Sequence, residues 1–137
     1  MLVILALTTT SNTSKFGGNM TFYKHTRKLI LIDLDGVLNE YKGDYKKDFI
    51  HPPKPETKEF LKDLSKNFEI KIFTTRNLLL TSKWLIKYNL DKYIKDVTNI
   101  KEKGSFLFID DRCICFDGDY KNLKNAIKNF LYGINPI

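Results

Sequence analysis

Lys28-Leu29-Ile30-Leu31-Ile32-Asp33-Leu34-Asp35-Gly36 is the stretch that decides the fold. After the lysine, an unbroken apolar run ends on two carboxylates that flank a single residue, and a glycine follows. A short continuous apolar run of this kind predicts a strand buried on both faces, the habit of strands inside a parallel sheet. Carboxylates at the end of such a strand are costly to bury unless a cation or hydrogen-bond donors meet them.

Two further segments repeat the pattern. Ile70-Lys71-Ile72-Phe73 predicts a second strand, closed by Thr74-Thr75-Arg76, and Phe106-Leu107-Phe108-Ile109 predicts a third, closed by Asp110-Asp111. A short strand is expected near Val97, and Ile114 to Phe116 is expected to add an edge strand. Pro55 suits a helix start, with Phe60, Leu61 and Leu64 as its apolar stripe. Residues 78–89 read as a helix offering Leu78, Leu79, Leu85 and Ile86 to the core, with Trp84 also a core residue. Tyr120, Leu123, Ile127, Phe130 and Leu131 recur at helical spacing and mark a last helix. Residues 38–50 carry polar and aromatic side chains around Lys42-Gly43-Asp44 and predict a hairpin or flap. His51-Pro52-Pro53-Lys54-Pro55 is neither helix nor central strand.

Strands alternating with helices give the fold class: α/β, a Rossmann-like three-layer sandwich with a mainly parallel sheet. Ligands of such sheets bind beyond the carboxyl ends of the strands. Asp33, Thr74 and Asp110 stand at three such ends, which argues for a site with no appeal to any known protein.

Composition bounds the rest. The 137 residues amount to one domain, 42% hydrophobic and 28% charged, ordinary values for a soluble globular chain. No apolar run reaches the roughly 20 residues that span a bilayer. Residues 1–19, an apolar run from Leu2 to Leu7 followed by a polar stretch to Asn19, read as peripheral or disordered. They lack the basic start and long apolar core of a signal peptide, and Met20 opens the domain proper, 20–137. The formal charge of +7 rests on lysines scattered through nearly every segment, with only three arginines, and reads as a solvated surface rather than a dedicated nucleic-acid face. Cys113 and Cys115 lack zinc-site spacing and read as reduced core residues of a cytoplasmic protein. His25 and His51 have no partner in any motif.

Asp33, Asp35, Asp110 and Asp111 offer oxygen donors only. That donor set suits Mg²⁺, which keeps several waters and recruits phosphate oxygens, so a phosphate compound is the implied substrate.

Asp33-Leu34-Asp35-Gly36-Val37-Leu38-Asn39 resembles motif I of the haloacid-dehalogenase-like superfamily. The other motifs follow in that family's order: Thr74 resembles motif II, Lys101 the motif III lysine with Lys103 as its alternative, and Phe108-Ile109-Asp110-Asp111-Arg112 the acidic motif IV. The resemblance covers about residues 28–117. It implies a phosphatase in which Asp33 forms an aspartyl-phosphate and Asp35 is the general acid and base. Thr74 and Lys101 would hold the phosphoryl group. Mg²⁺ would sit on Asp33, the backbone carbonyl of Asp35, and Asp110 or Asp111.

The intervals from Asp35 to Thr74 and from Thr74 to Lys101 leave no room for the cap domain many such relatives carry. The expected site is therefore open, closed by the flap or by another subunit. A small phosphorylated metabolite, nucleotide or sugar is the expected substrate. A polynucleotide 3′-phosphatase is the close alternative, suggested by Asp110-Asp111-Arg112 and the positive charge, and a non-catalytic binding protein is another. A phospho-signalling receiver would place its acidic pair first, its phospho-acceptor in mid-chain and its lysine last, whereas here the final motif is acidic and Lys101 precedes it.

Overall fold

The structure is a computed structural model and describes residues 26–133, with side chains described to residue 130. Leu2 to Leu7, the stretch to Asn19, Met20, His25 and the side chain of Leu131 lie outside the described residues. The elements run β1 (Leu29–Asp33), α1 (Thr57–Leu64), β2 (Glu69–Phe73), α2 (Leu78–Lys87), a 3₁₀ turn (Asp91–Tyr93), β3 (Asp96–Thr98), β4 (Leu107–Ile109) and α3 (Tyr120–Gly133). The four strands form one sheet in the order β3-β2-β1-β4, and every pair is parallel. This is an α/β architecture consistent with a Rossmann-like fold.

The unbroken apolar run of β1 is explained by its neighbours, β2 on one side and β4 on the other. Ile30, Leu31 and Ile32 are all buried. Side chains alternate across a strand. Ile30 and Ile32 share a face with their register partners Ile70 and Ile72 and enter the main core with Leu61 of α1 and Trp84 and Leu85 of α2. The steps from β1 to β2 and from β2 to β3 move the same way along the sheet, so right-handed crossovers place both helices on that face. On the other face, Lys71 of β2 pairs with Glu102 at 2.6 Å and ties down the loop between β3 and β4.

Several expectations change once strand order is known. Phe106 and Leu107 are exposed because, among the described residues, β4 pairs with β1 alone and so lies at the sheet edge. No strand forms at 114–116; the chain turns away after Asp111, and Cys113 and Cys115, though free thiols, are exposed rather than core. Within α2 the buried stripe is Thr81, Trp84 and Leu85. At about 100° per residue, Leu79 and Ile86 lie roughly 200° from Thr81 and Trp84, which accounts for their exposure. Pro55 stands two residues before α1, which buries Thr57 and Leu61 but leaves Phe60 exposed. The stripe of α3 is likewise unburied at Tyr120 and Ile127 and half-buried at Leu123 and Phe130, since that helix packs on no strand substantially.

A flap forms over 39–53, three residues past the end of the expected 38–50, closed by isolated antiparallel bridges at Asn39–Pro53 and Lys46–Phe49. Gly43 turns it at φ 97°. The Trp84 indole N–H anchors its far end by donating to the His51 carbonyl at 2.8 Å.

Candidate active site

The sheet register brings the strand ends together. Asp33 is paired with Phe73, so Thr74 follows one step beyond it; Ile32 is paired with Ile109, so Asp110 is level with Asp33. Between β1 and β4 the direction of strand order reverses, and the crevice outside such a reversal is the ligand position of open α/β sheets. A cleft of about 310 Å³ opens there, lined by Asp33, Asp35, Thr74 and Asp110 with Tyr41, Tyr45 and Arg112 on its walls. A smaller space of about 170 Å³ adjoins it and joins Lys101 to Asp33 and Asp110. Lys101 lies over the Phe108 ring at 4.5 Å and makes no ion pair with Asp33; the alternative, Lys103, is exposed and lines neither space.

Asp33, Asp110 and Asp111 each present a carboxylate oxygen, and these lie within 4.8 Å of one another. Burial pushes the Asp33 carboxyl up to about 7. The Leu34 backbone N–H, donating at 2.8 Å, offsets part of this, while the negative charges of Asp110, Asp111 and Asp35 add to it. Three oxygens that repel one another can be relieved by a proton or by a divalent cation, and a hard cation with oxygen ligands fits this donor set.

Gly36 permits the arrangement. Its φ is 81°, and a Cβ there would collide with the Asp111 carboxylate. Its carbonyl accepts from the Lys54 ammonium and its N–H donates to Asn39 Oδ1.

Asp35 lies only two residues from Asp33, but its side chain is held elsewhere. Its Oδ1 accepts from Asn39 Nδ2 at 2.8 Å, and its Oδ2 accepts from Arg76 Nε at 2.6 Å. The carboxylate is not part of the three-oxygen cluster. Thr74 is buried; its N–H donates to the Thr98 carbonyl, and its hydroxyl accepts from the Arg76 N–H.

Two residues of this site carried no role in the sequence. Asn39 is fully buried and bonds Gly36, Asp35 and Tyr41 at once, a small hub that fixes the turn after β1. Arg76 is buried beneath the flap. The only hint in the sequence was position: Asn39 closes the apolar-acidic motif and Arg76 follows the polar end of β2. His51, without a motif partner in the sequence, lies with Nε2 3.0 Å from Asp44 Oδ1, an ion-pair distance without hydrogen-bond alignment. No family model, curated protein or solved structure matches this chain.

Among the described residues, no helix is long and apolar enough to cross a membrane.

Proposed function

We propose that this protein is a Mg²⁺-dependent phosphomonoesterase of the haloacid-dehalogenase-like type, without a cap domain, working through an aspartyl-phosphate on Asp33. The observation that carries the reading is the division between two neighbouring aspartates. Asp33 faces Asp110 and Asp111, while Asp35 lines the same cleft with its carboxylate outside their cluster. That division supports attack by one carboxylate beside a cation and proton transfer by the other.

In this reading Asp33, Asp110 and Asp111, with the Asp35 carbonyl, would hold Mg²⁺. The bound ion would supply charge neutralisation between an anionic nucleophile and an anionic phosphate. An Asp33 oxygen attacks phosphorus as the ester bond to the leaving oxygen breaks, and Asp35 delivers a proton to that oxygen. Asp35 then takes a proton from the water that hydrolyses the acyl phosphate. Thr74 donates to a phosphoryl oxygen, and Lys101, which lines the smaller space together with Asp33, balances its charge.

The cleft suits a small phosphorylated metabolite, nucleotide or sugar. Arg112 on its wall favours a second reading, the 3′-phosphorylated end of a polynucleotide. One screen tests both: Mg²⁺-dependent phosphate release from nucleotides, sugar phosphates and 3′-phosphorylated oligonucleotides, with acid-quenched protein digested to locate a phosphoryl group. Label on Asp33 is expected. Full turnover in excess chelator, or a phosphoryl group on another residue, would sink the proposal.

A further inference from the structure

Arg76 has a partner set that stability alone does not explain. Its side chain is about 1% exposed. Nε donates to Asp35 Oδ2 at 2.6 Å, and Nη1 donates to two flap carbonyls, Lys46 at 2.9 Å and Phe49 at 3.0 Å. The guanidinium carbon lies 4.7 Å from the Tyr45 ring centroid and 5.8 Å from that of Tyr41, the two tyrosines that wall the cleft. Nη2 is buried and, among the described residues, has no hydrogen-bond partner. A buried ion pair is weak support for a fold, because desolvation consumes most of its attraction, and a buried unpaired donor is a further penalty. An apolar side chain of similar volume would hold this position at less expense. What such a side chain would lose is the connection. The planar fork of arginine reaches a carboxylate through one nitrogen and two carbonyls through another, in a geometry that lysine lacks.

We propose that Arg76 is a positioning residue that joins the flap to Asp35, so that the tyrosine wall and the Asp35 carboxylate are held as one unit. The catalytic part of this rests on the role given to Asp35 above; the tether does not. Asp35 stands between two anchors, Asn39 on the segment leaving β1 and Arg76 on the segment leaving β2. The flap carbonyls are held by the same guanidinium. Movement of the flap therefore moves Arg76, and movement of Arg76 releases one side of Asp35. Misplacing a reacting group by about 1 Å can lower turnover by on the order of 10²-fold.

The experiment compares Arg76→Lys, Arg76→Gln and Tyr45→Leu in the full chain, with Lys66→Ala, which breaks an exposed ion pair on α1, as control. Amide exchange read by mass spectrometry reports the tether without reference to activity. Exchange across 41–50 is expected to rise at least tenfold in both Arg76 variants, with β1 and β2 still protected. Steady-state kinetics with Mg²⁺ and an alkyl and an aryl phosphate report the positioning. Arg76→Lys is expected to lower kcat by roughly 10²-fold for the alkyl ester and less for the aryl ester, which needs little protonation as it leaves. Tyr45→Leu, which removes part of the cleft wall, is expected to raise KM and to lower kcat by less than Arg76→Lys does. Should Arg76→Gln fail to fold, the lysine variant carries both measurements. Unchanged exchange at 41–50 in a folded variant overturns the tether. Lowered melting temperature with kcat intact overturns the positioning role and leaves a structural one. If the wild-type protein hydrolyses no phosphomonoester, the proposed function fails, and the exchange result still decides whether Arg76 holds the flap.

Discussion

Replacing Asp33 by Asn should make the metal-free protein more stable, although it should also end any turnover that depends on Asp33. The asparagine oxygen can still accept the Leu34 N–H that Asp33 now accepts at 2.8 Å. What disappears is the charge. Asp33 has an ordinary carboxyl value of 3.8 once unfolded and about 7 in the folded protein, chiefly from burial. Between these values the folded protein binds a proton that the unfolded chain has released. Stability therefore falls as pH rises through the window from about 4 to 7, and the full penalty is present above it. A displacement of about three pH units corresponds to about 4 kcal/mol. The carboxylate is only half-buried, and solvent screening reduces that to about 2 kcal/mol. Asp33→Asn should accordingly gain about 2 kcal/mol at pH 8 and nothing below pH 4, equal to a rise of roughly 6–10 °C in Tm at the higher pH for a domain this size. Urea or thermal unfolding in excess chelator measures the difference. Added Mg²⁺ should then reverse the ranking, because a ligand at 100 times its Kd stabilises by about 2.7 kcal/mol and the variant has lost one of its oxygens. Two results refute the reasoning: a variant no more stable than the wild type at pH 8 without metal, or an equal gain at pH 4 and pH 8. Equal stabilisation of both proteins by Mg²⁺ would remove Asp33 from the cation site.

Three other substitutions test neighbouring parts of the site. Asp35→Asn should keep Mg²⁺ affinity within a few-fold while lowering turnover by roughly 10²–10⁴, with phospho-enzyme accumulating from an aryl phosphate; outright loss of Mg²⁺ binding, seen by calorimetry, would make Asp35 a side-chain metal ligand instead. Gly36→Ala should destabilise the protein by about 1–3 kcal/mol, since it forces a side chain onto a φ of 81° and against Asp111, and it should weaken Mg²⁺ binding; unchanged binding would separate Asp111 from the cation. Trp84→Phe removes the 2.8 Å bond to the His51 carbonyl and should lower stability by about 1–3 kcal/mol, with faster amide exchange at 49–51; an unchanged exchange rate there would show that the indole does not anchor the flap.

The strand β1 and its polar end were legible because the information is local. An apolar run longer than one face can use, closed by carboxylates, describes burial on both sides whatever the partners are, and Leu29 to Asp33 is such a strand. The same holds for the convergence of Asp33, Thr74 and Asp110, since parallel strands place all their carboxyl ends on one edge. Strand order is not local. Phe106-Leu107-Phe108-Ile109 is as apolar as β1, yet among the described residues it lies at the edge with one partner, and periodicity does not record how many neighbours a strand will have. The stripe of α3 failed for a related reason: helical spacing gives a face, while burial needs a second surface to meet it. Cys113 and Cys115 were misplaced because their expected strand depended on pairing that the fold does not provide.

Of the site, the sequence by itself determined the acidic residues, their spacing and their place at strand ends. Only the tertiary structure decided how differently two neighbouring aspartates are surrounded. Asp33 and Asp35 are chemically the same residue two positions apart. Burial and the nearness of Asp110 and Asp111 shape the first, while Arg76 from 41 residues away and Asn39 hold the second. An arginine is usually exposed, and nothing in its own neighbourhood says that a flap will close over it. That depends on where two distant segments of backbone come to rest. The electrostatic consequence, a carboxyl moved from 3.8 to about 7, exists only once those segments have excluded water around it.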